Sequence, residues 1–497
     1  MEVTAAVLSS LLLVFFSGLA PIHGHGGRYL DQRIRKLEAS ILGQKAVSPS
    51  PSSAPWGQRS GRVYGVTSYG ADPTGESDST DAILRAISDA FQARGGRDLM
   101  PGIPDLGGSQ VHLEGGTYKI SRPLRFPSSG GGNFMIHGGS IRASDDFPAD
   151  GYLIELRPSS SSSSSKVEKQ KTSGEYSLAE ETFSSSYEFV TLKDLLLDSN
   201  LRGGGVAVVD SLRTTIDNCY IARFASDGVI VRGGHETLVR NSYIGQHITA
   251  GGDPGERNFS GVGITLAGND NIVTDVVIFS AGVGIAVLGQ ANTITGVHCY
   301  NKATAWGGIG IHLRLPGLTQ TRILNSYLDF TGIVAEDPVQ LLVSGCFFLG
   351  DAAVVLRSVK GSMSGVSVVD NVFAGSGNGV EIVRLDESAG RFGAVDQIVV
   401  DRNSVKGMRV RSTVGRGTAR GDGNGTSLVV DFSDVLLFPD MIKHAQYTLL
   451  PDEGGASAFF GHALRNTSGN RVVVETDSAV PATIYVWVDQ NPALSNV

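Results

Sequence analysis

The sequence predicts an all-β chain: a right-handed parallel β-helix with an N-terminal capping helix and a small C-terminal β cap. Three observations carry that reading. A short strand unit recurs at intervals of 21 to 35 residues, 65 glycines punctuate the β-branched runs, and the segments before and after the repeat differ in character from it.

The repeat comes first. Units of the form Gly-[Val/Ile]-x-[Val/Ile/Leu] stand at Gly205-Val-Ala-Val, Gly228-Val-Ile-Val, Gly263-Ile-Thr-Leu, Gly284-Ile-Ala-Val, Gly310-Ile-His-Leu, Gly332-Ile-Val-Ala, Ala353-Val-Val-Leu and Gly379-Val-Glu-Ile. A second strand recurs between them, as Asp217-Asn-Cys-Tyr-Ile, Arg240-Asn-Ser-Tyr-Ile, Leu324-Asn-Ser-Tyr-Leu and Val369-Asp-Asn-Val-Phe. Such a period with two or three strands per unit is the signature of a parallel β-helix. Stacked coils bury a continuous core that no single coil could bury alone. In each short strand the second and fourth residues point inward and the third points out. Leucine-rich repeats share the period, but their leucine pattern is missing. Glycine is far above the ~7% of average usage, and without a G-X-Y period it marks tight corners rather than collagen.

The flanks follow. Ala5 to Phe16 with the small residues behind it reads as a signal peptide over residues 1–24, too short to span a membrane. Residues 25–61 hold one amphipathic helix face (Leu30, Ile34, Leu37, Ile41) and a Pro/Ser linker. The β-helix is expected over 62–425, interrupted by a Ser-rich disordered insertion at 158–187, with the C-terminal β cap over 426–497. Within the first part, Asp78-Ser-Thr-Asp offers N-caps to a helix whose apolar face is Ile83, Ile87 and Phe91. That helix would close the open end of the solenoid.

Composition narrows function. A formal charge of −8 argues against a nucleic-acid partner, which calls for a basic patch. Cys219, Cys299 and Cys346 read as buried ladder residues at one equivalent position in different repeats. No His/Cys/carboxylate spacing suits a metal, so neither a metal nor another cofactor is expected.

A β-helix offers an outward surface suited to a polymer chain. On the glycine-column sheet, Asp227, Arg232, His312 and Arg314 fall on one stripe, two to three coils apart. The coil after Asp227 carries an insertion: Asn218 to Gly228 spans 10 residues, Asn241 to Gly263 spans 22. The extra loop holds His247, Asp253, Glu256 and Arg257, and loops on rigid scaffolds are where function concentrates. Glycoside hydrolysis needs two carboxyls beside the bond, which Asp227 with Asp253 or Glu256 would supply. Trp306 could stack on a sugar ring, and Lys302 could pair with its carboxylate. The alternatives are a solvated loop, a turn aspartate and ordinary surface polar residues. Three sequons, at Asn258, Asn424 and Asn466, fit a secreted glycoprotein.

Tyr69-Gly-Ala-Asp-Pro-Thr-Gly, Asp78-Ser-Thr-Asp-Ala-Ile and Glu114-Gly-Gly-Thr-Tyr-Lys-Ile resemble the N-terminal signature of the pectate-lyase-3-like β-helix superfamily, a pectin-lyase-like fold. The body from about 62 to 490 resembles the quartet-type plant polygalacturonases, a divergent branch of glycoside hydrolase family 28. Gly251-Gly-Asp-Pro-Gly-Glu-Arg-Asn-Phe-Ser and Asp329-Phe-Thr-Gly-Ile-Val-Ala-Glu-Asp-Pro support the narrower match. The resemblance implies an extracellular pectin hydrolase of the cell wall, with a role in freeing pollen from tetrads. It implies homogalacturonan as partner, no nucleic acid, no membrane after signal cleavage, and a monomer. The family's Asn-Thr-Asp motif becomes Ala225-Ser226-Asp227, keeping the aspartate. Its Asp-Asp becomes Gly261-Val262, its Gly-His-Gly becomes Gly282-Val283-Gly284, and its Arg-Ile-Lys becomes His312-Leu313-Arg314. The missing acid leaves three readings open: hydrolysis with a loop carboxylate, a calcium-dependent pectate lyase, or a pectin-binding β-helix without catalysis.

Overall fold

The computed structural model describes residues 62–93, 95–158, 185–247, 260–300, 308–452 and 459–491. The segments read from the sequence as a signal peptide, an amphipathic helix and a linker, and most of the 158–187 insertion, lie outside these residues. The far end of that insertion is not loop: Tyr187 starts a strand, is fully buried, and donates its hydroxyl to the Arg157 and Pro127 carbonyls at 3.0 and 3.1 Å.

The body is a right-handed parallel β-helix with three strands per coil. One coil runs Leu238–Arg240, Tyr243–Gly245 and Val262–Asn269. The next runs Ile272–Thr274, Val277–Phe279 and Val283–Val287, each strand pairing in parallel with its predecessor. Val229, Ile264, Ile285 and Ile311 stack in register inside, all fully buried. The repeated apolar letters therefore form one core running the length of the solenoid.

Close approach explains the glycine column. A Cβ added at Gly228 would lie 2.6 Å from the Gly263 carbonyl oxygen. One at Gly263 would lie 2.5 Å from that of Gly284, and one at Gly284 2.5 Å from that of Gly310. Each glycine keeps the backbone beside it clear. The corner before the Tyr strand has its own requirement: Asn218, Asn241, Asn325 and Asp370 all sit at φ between 48° and 57°, where Asn and Asp are tolerated best. The last repeat shifts relative to the sequence alignment. Val354 pairs with Val383, so Ile382, not Gly379, continues the column, and Arg384 rather than Glu381 occupies the outward row.

The cysteines also divide. Cys219 and Cys346 share one ladder position with Ser242 and Ser326, whereas Cys299 lies two residues further on, in register with Ile278 and Leu328. All three are buried free thiols, and burial pushes Cys299 up to about 12. Buried polar side chains in the ladder are satisfied between coils: Asn371 accepts from the Cys346 amide at 2.9 Å and donates to the Val343 carbonyl at 3.1 Å.

Both ends are closed. Helix Thr80–Gln92 buries Ile83, Ile87 and Phe91, with the Phe91 ring 5.0 to 6.5 Å from those of Phe126, Phe134 and Tyr187. Asp78 accepts the Thr80 amide at 3.0 Å, while the Ser79 hydroxyl accepts the Asp72 amide. At the other end Leu437 and Phe438 enter the solenoid core. Arg411 locks this cap by donating to Glu381 and to the Ser433 and Leu436 carbonyls at 2.7 to 3.2 Å. Two three-stranded antiparallel sheets follow, beginning at Val414, ahead of the boundary expected at 426. Their facing sides enclose a second core around Val430, Val472, Ile484 and Val486.

Gly263→Ala forces a methyl group against a backbone carbonyl and is expected to lower unfolding free energy by about 2 kcal/mol or more. Gly425→Ala, which meets nothing within 4 Å, should leave it unchanged. Denaturant midpoints of the two variants check this.

Stability should also depend on pH. Burial holds His137 and His298 below the ordinary imidazole value of 6.5, although Asp329 partly opposes this at His298. The unfolded chain takes up protons that these folded sites refuse, so the stability kept above pH ~6.5 is lost as pH falls below it. The denaturation midpoint is expected to drop between pH 7.5 and pH 5.5, and His298→Phe should reduce that drop.

Candidate functional site

Asp227 opens a glycine-column strand, Asp227–His235, and its carboxylate faces outward between two hydroxyl donors. Tyr152 Oη donates to Oδ2 at 2.8 Å, and Thr265 Oγ1, from the next coil, donates to Oδ1. Tyr152 lies two coils away, in register with Gly204. A Cβ on Gly204 would overlap the Tyr152 ring. The absence of a side chain there is what lets the phenol cross one coil and reach Asp227. Burial pushes the Tyr152 phenol well above its ordinary value, and the Asp227 charge adds to that, so it stays a donor. The ring packs on Ala207 and Ile230, an apolar patch on the outer side of the sheet. Glu155, also buried, fixes the same strand: it accepts the Tyr152 amide at 3.0 Å and Arg125 Nε at 2.8 Å, with Arg157 at 3.7 Å.

The long insertion emerges at this edge. Gln246, 4% exposed, closes its stem by accepting the Ser260 and Gly261 amides and donating to the Ser260 hydroxyl, all at 3.2 Å. Val262 then donates its amide to the Ser226 carbonyl at 2.8 Å, beside Asp227. The chain re-enters the same edge after 301–307, where the Ile309 amide reaches the Gly282 carbonyl at 3.0 Å. Of the residues singled out in these loops, His247 stands half-buried at the stem. Asp253, Glu256, Arg257, Asn258, Lys302 and Trp306 lie outside the described residues.

His312 sits three coils further along the same sheet than Asp227, roughly 14 Å at ~4.8 Å per coil. Burial pushes the His312 imidazole down, against the opposing pull of Glu336, whose Oε1 lies 3.0 Å from Nε2. Glu336 is 3.7 Å from Arg357, which donates to Asp386 at 2.8 Å. Hydrogen bonds from Ser388 and Arg357 hold Asp386 down at about 2. This ladder of alternating charge borders an open groove of about 540 Å³, lined by Ile309, Val334, Val355, Arg357, Arg384 and Asp386 among others. Arg232, Arg314 and Arg384 are exposed on the same sheet face, without an ion-pair partner among the described residues. Asn424 and Asn466 are both exposed on the C-terminal sheets. Among the described residues no group of three or more His, Cys, Asp or Glu is placed to hold a metal.

Tyr152, Thr265, Arg384 and Asp386 are site residues that the sequence did not single out. Tyr152 precedes the Ser-rich insertion, so its coil cannot be counted from the repeat. Arg384 needed the register shift of the last repeat. Thr265 is outward by alternation, but nothing in its type marks it as the partner of Asp227.

No family model matches the chain. It is 58% identical over 461 residues to Polygalacturonase QRT3 of Arabidopsis thaliana, covering 92% of this chain and 91% of that one. Among solved structures, ORF18 of Geobacillus virus E2 superposes with a TM-score of 0.53 at 13% identity, over 93% of this chain and 83% of that one. The A-module of the Azotobacter vinelandii mannuronan C-5 epimerase AlgE4 gives a TM-score of 0.43 at 14% identity, over 69% and 95%. The viral protein shares the fold. The sequence match spans nearly the whole β-helix and its cap, and on it the chain belongs to the polygalacturonase family represented by QRT3 of Arabidopsis thaliana.

Proposed function

We propose that this chain is a secreted polygalacturonase that hydrolyses α-1,4-galacturonan linkages of cell-wall pectin. The observation that carries this reading is Asp227, oriented by two hydroxyl donors on a face edged by arginines without an ion-pair partner among the described residues, in a chain 58% identical to a protein named polygalacturonase. Homogalacturonan is a polyanion, so Arg232, Arg314 and Arg384 are suited to its carboxylates by charge-assisted hydrogen bonds. Asp227 is assigned as one of the two carboxyls that flank the scissile bond, one protonating the leaving oxygen and the other activating water or attacking. Asp253 or Glu256 of the 248–259 segment is assigned as the other, because the stem of that segment is hydrogen-bonded beside Asp227. His247, Arg257, Lys302, Trp306 and His312 would complete substrate contacts. Glycans at Asn424 and Asn466 belong to the same secreted reading, as does Asn258.

A second reading has a specific observation in its favour. Val262 and Val283 occupy the two rows next to Asp227, where an acidic pair and a histidine stand in ordinary polygalacturonases. If no loop carboxylate substitutes for them, the face binds galacturonan without cleaving it.

Incubation with de-esterified polygalacturonate, following reducing ends and ultraviolet absorbance together, with and without EDTA, separates these readings. Hydrolysis yields reducing ends without an unsaturated product. An absorbing, EDTA-sensitive product would mean a calcium lyase, and binding without either signal would support the second reading. Asp227→Asn is expected to lower turnover by about 10²–10⁴-fold with an unchanged melting temperature. Tyr152→Phe removes one donor to the carboxylate and should cost about tenfold. Full turnover in Asp227→Asn would overturn the assignment of Asp227, and full turnover in both Asp253→Ala and Glu256→Ala that of the loop.

A further inference from the structure

We propose that the C-terminal sheet carries a second carbohydrate-binding face, separate from the Asp227 site, that takes an anionic polysaccharide chain. The sheet is formed by Val414–Asp422, Pro481–Asp489 and His444–Pro451, with Pro481–Asp489 in the centre. Along that central strand Ala482, Ile484, Val486 and Val488 are buried against the second sheet, while Tyr485 and Trp487 point outward at 51% and 47% exposure. Two large aromatic rings about 7 Å apart on one strand, turned to solvent, serve no core. Adjacent exposed rings that form one contiguous surface, unlike rings scattered singly, mark an interaction site.

What flanks the rings says what they bind. In register, Trp487 stands between Arg416 and Gln446, and Tyr485 between Thr418 and Thr448. All four neighbours are exposed. Each aromatic surface is therefore bordered on both sides by hydrogen-bonding side chains. That arrangement suits a pyranose, whose C–H face stacks on an aromatic ring while its edge hydroxyls need polar partners. A protein partner would find the apolar surface broken at every strand.

The charge selects within the sugars. Arg416 lies with its guanidinium carbon 5.3 Å from the Trp487 ring centre, held by cation–π attraction and without an ion-pair partner among the described residues. It leaves fork-shaped donors beside the stacking surface, the geometry that matches a carboxylate. The neighbouring Arg420 is already paired with Asp452 at 2.9 Å, and Asp489 closes the opposite end with its carboxylate accepting from Asn491. A depression of about 840 Å³ runs over Arg416, Thr418, Gln446, Thr448, Tyr485 and Trp487, room for a few sugar units of a chain passing across the strands.

The proposal does not depend on whether the Asp227 site turns substrate over. Its test is affinity electrophoresis of the full chain through gels containing de-esterified polygalacturonate, its carboxyl-reduced neutral form, or no polymer. Trp487→Ala is expected to weaken retardation by polygalacturonate about tenfold, and Trp487→Phe to keep most of it. Arg416→Gln should reduce the preference for the charged over the neutral polymer, the remainder coming from the arginines of the Asp227 face. Hydrolysis of short oligogalacturonides, if the wild type shows it, should be unchanged in all three. Should Trp487→Ala fail to fold, Arg416→Gln, a change at an exposed side chain, still decides the matter. Wild-type migration of both Trp487→Ala and Arg416→Gln in the polygalacturonate gel would overturn the proposal. Equal loss of retardation by charged and neutral polymer in Arg416→Gln would overturn its anionic part.

Discussion

Everything else in this molecule rests on the close parallel stacking of successive coils. Gly228, Gly263, Gly284 and Gly310 stand where a single methyl group would strike the carbonyl oxygen of the next coil. Only with that column clear can the backbone ladder close at strand spacing and the apolar residues beside each glycine meet in one core. The core has no room for chemistry. Polar function is displaced to the outward residue of each strand, to the corners, and to the ends.

The corners then set how much variation the fold tolerates. A coil can lengthen at a corner without disturbing its neighbours, because each strand pairs independently of the loop that feeds it and loop-closure entropy grows slowly with length. The 248–259 segment uses this freedom. Gln246 repairs the stem by accepting two backbone amides that the ladder would otherwise leave unmet. Asn371 and its equivalents satisfy buried amides at another corner in the same way. The fold is thus held by apolar stacking along its axis and by side-chain hydrogen bonds at its turns.

Two features of the outer surface follow from simple local rules, one of reach and one of alternation. Gly204 permits Tyr152 to span a coil and hold Asp227, so the site depends on a residue that contributes no side chain. In the C-terminal sheet, alternation alone turns Tyr485 and Trp487 outward while their neighbours fill a core. A chain with both surfaces would grip a polymer at two places, and the effective concentration of the second contact would rise once the first is made.

By itself the sequence determined the solenoid, the capping helix and the existence of C-terminal strands. Period-two alternation and a fixed coil length are local properties, readable wherever glycine, asparagine and β-branched residues recur. It also marked Asp227, because an aspartate beside a column glycine keeps its place in any register. Tertiary structure decided which groups meet. Tyr152 reaches Asp227 across 75 residues, a distance in sequence that no period measures through the Ser-rich insertion. Arg384 took the outward place of Glu381 because pairing, not spacing, fixed the last register. Contacts between coils arise from stacking geometry, and a repeat in sequence fixes only that the coils will stack.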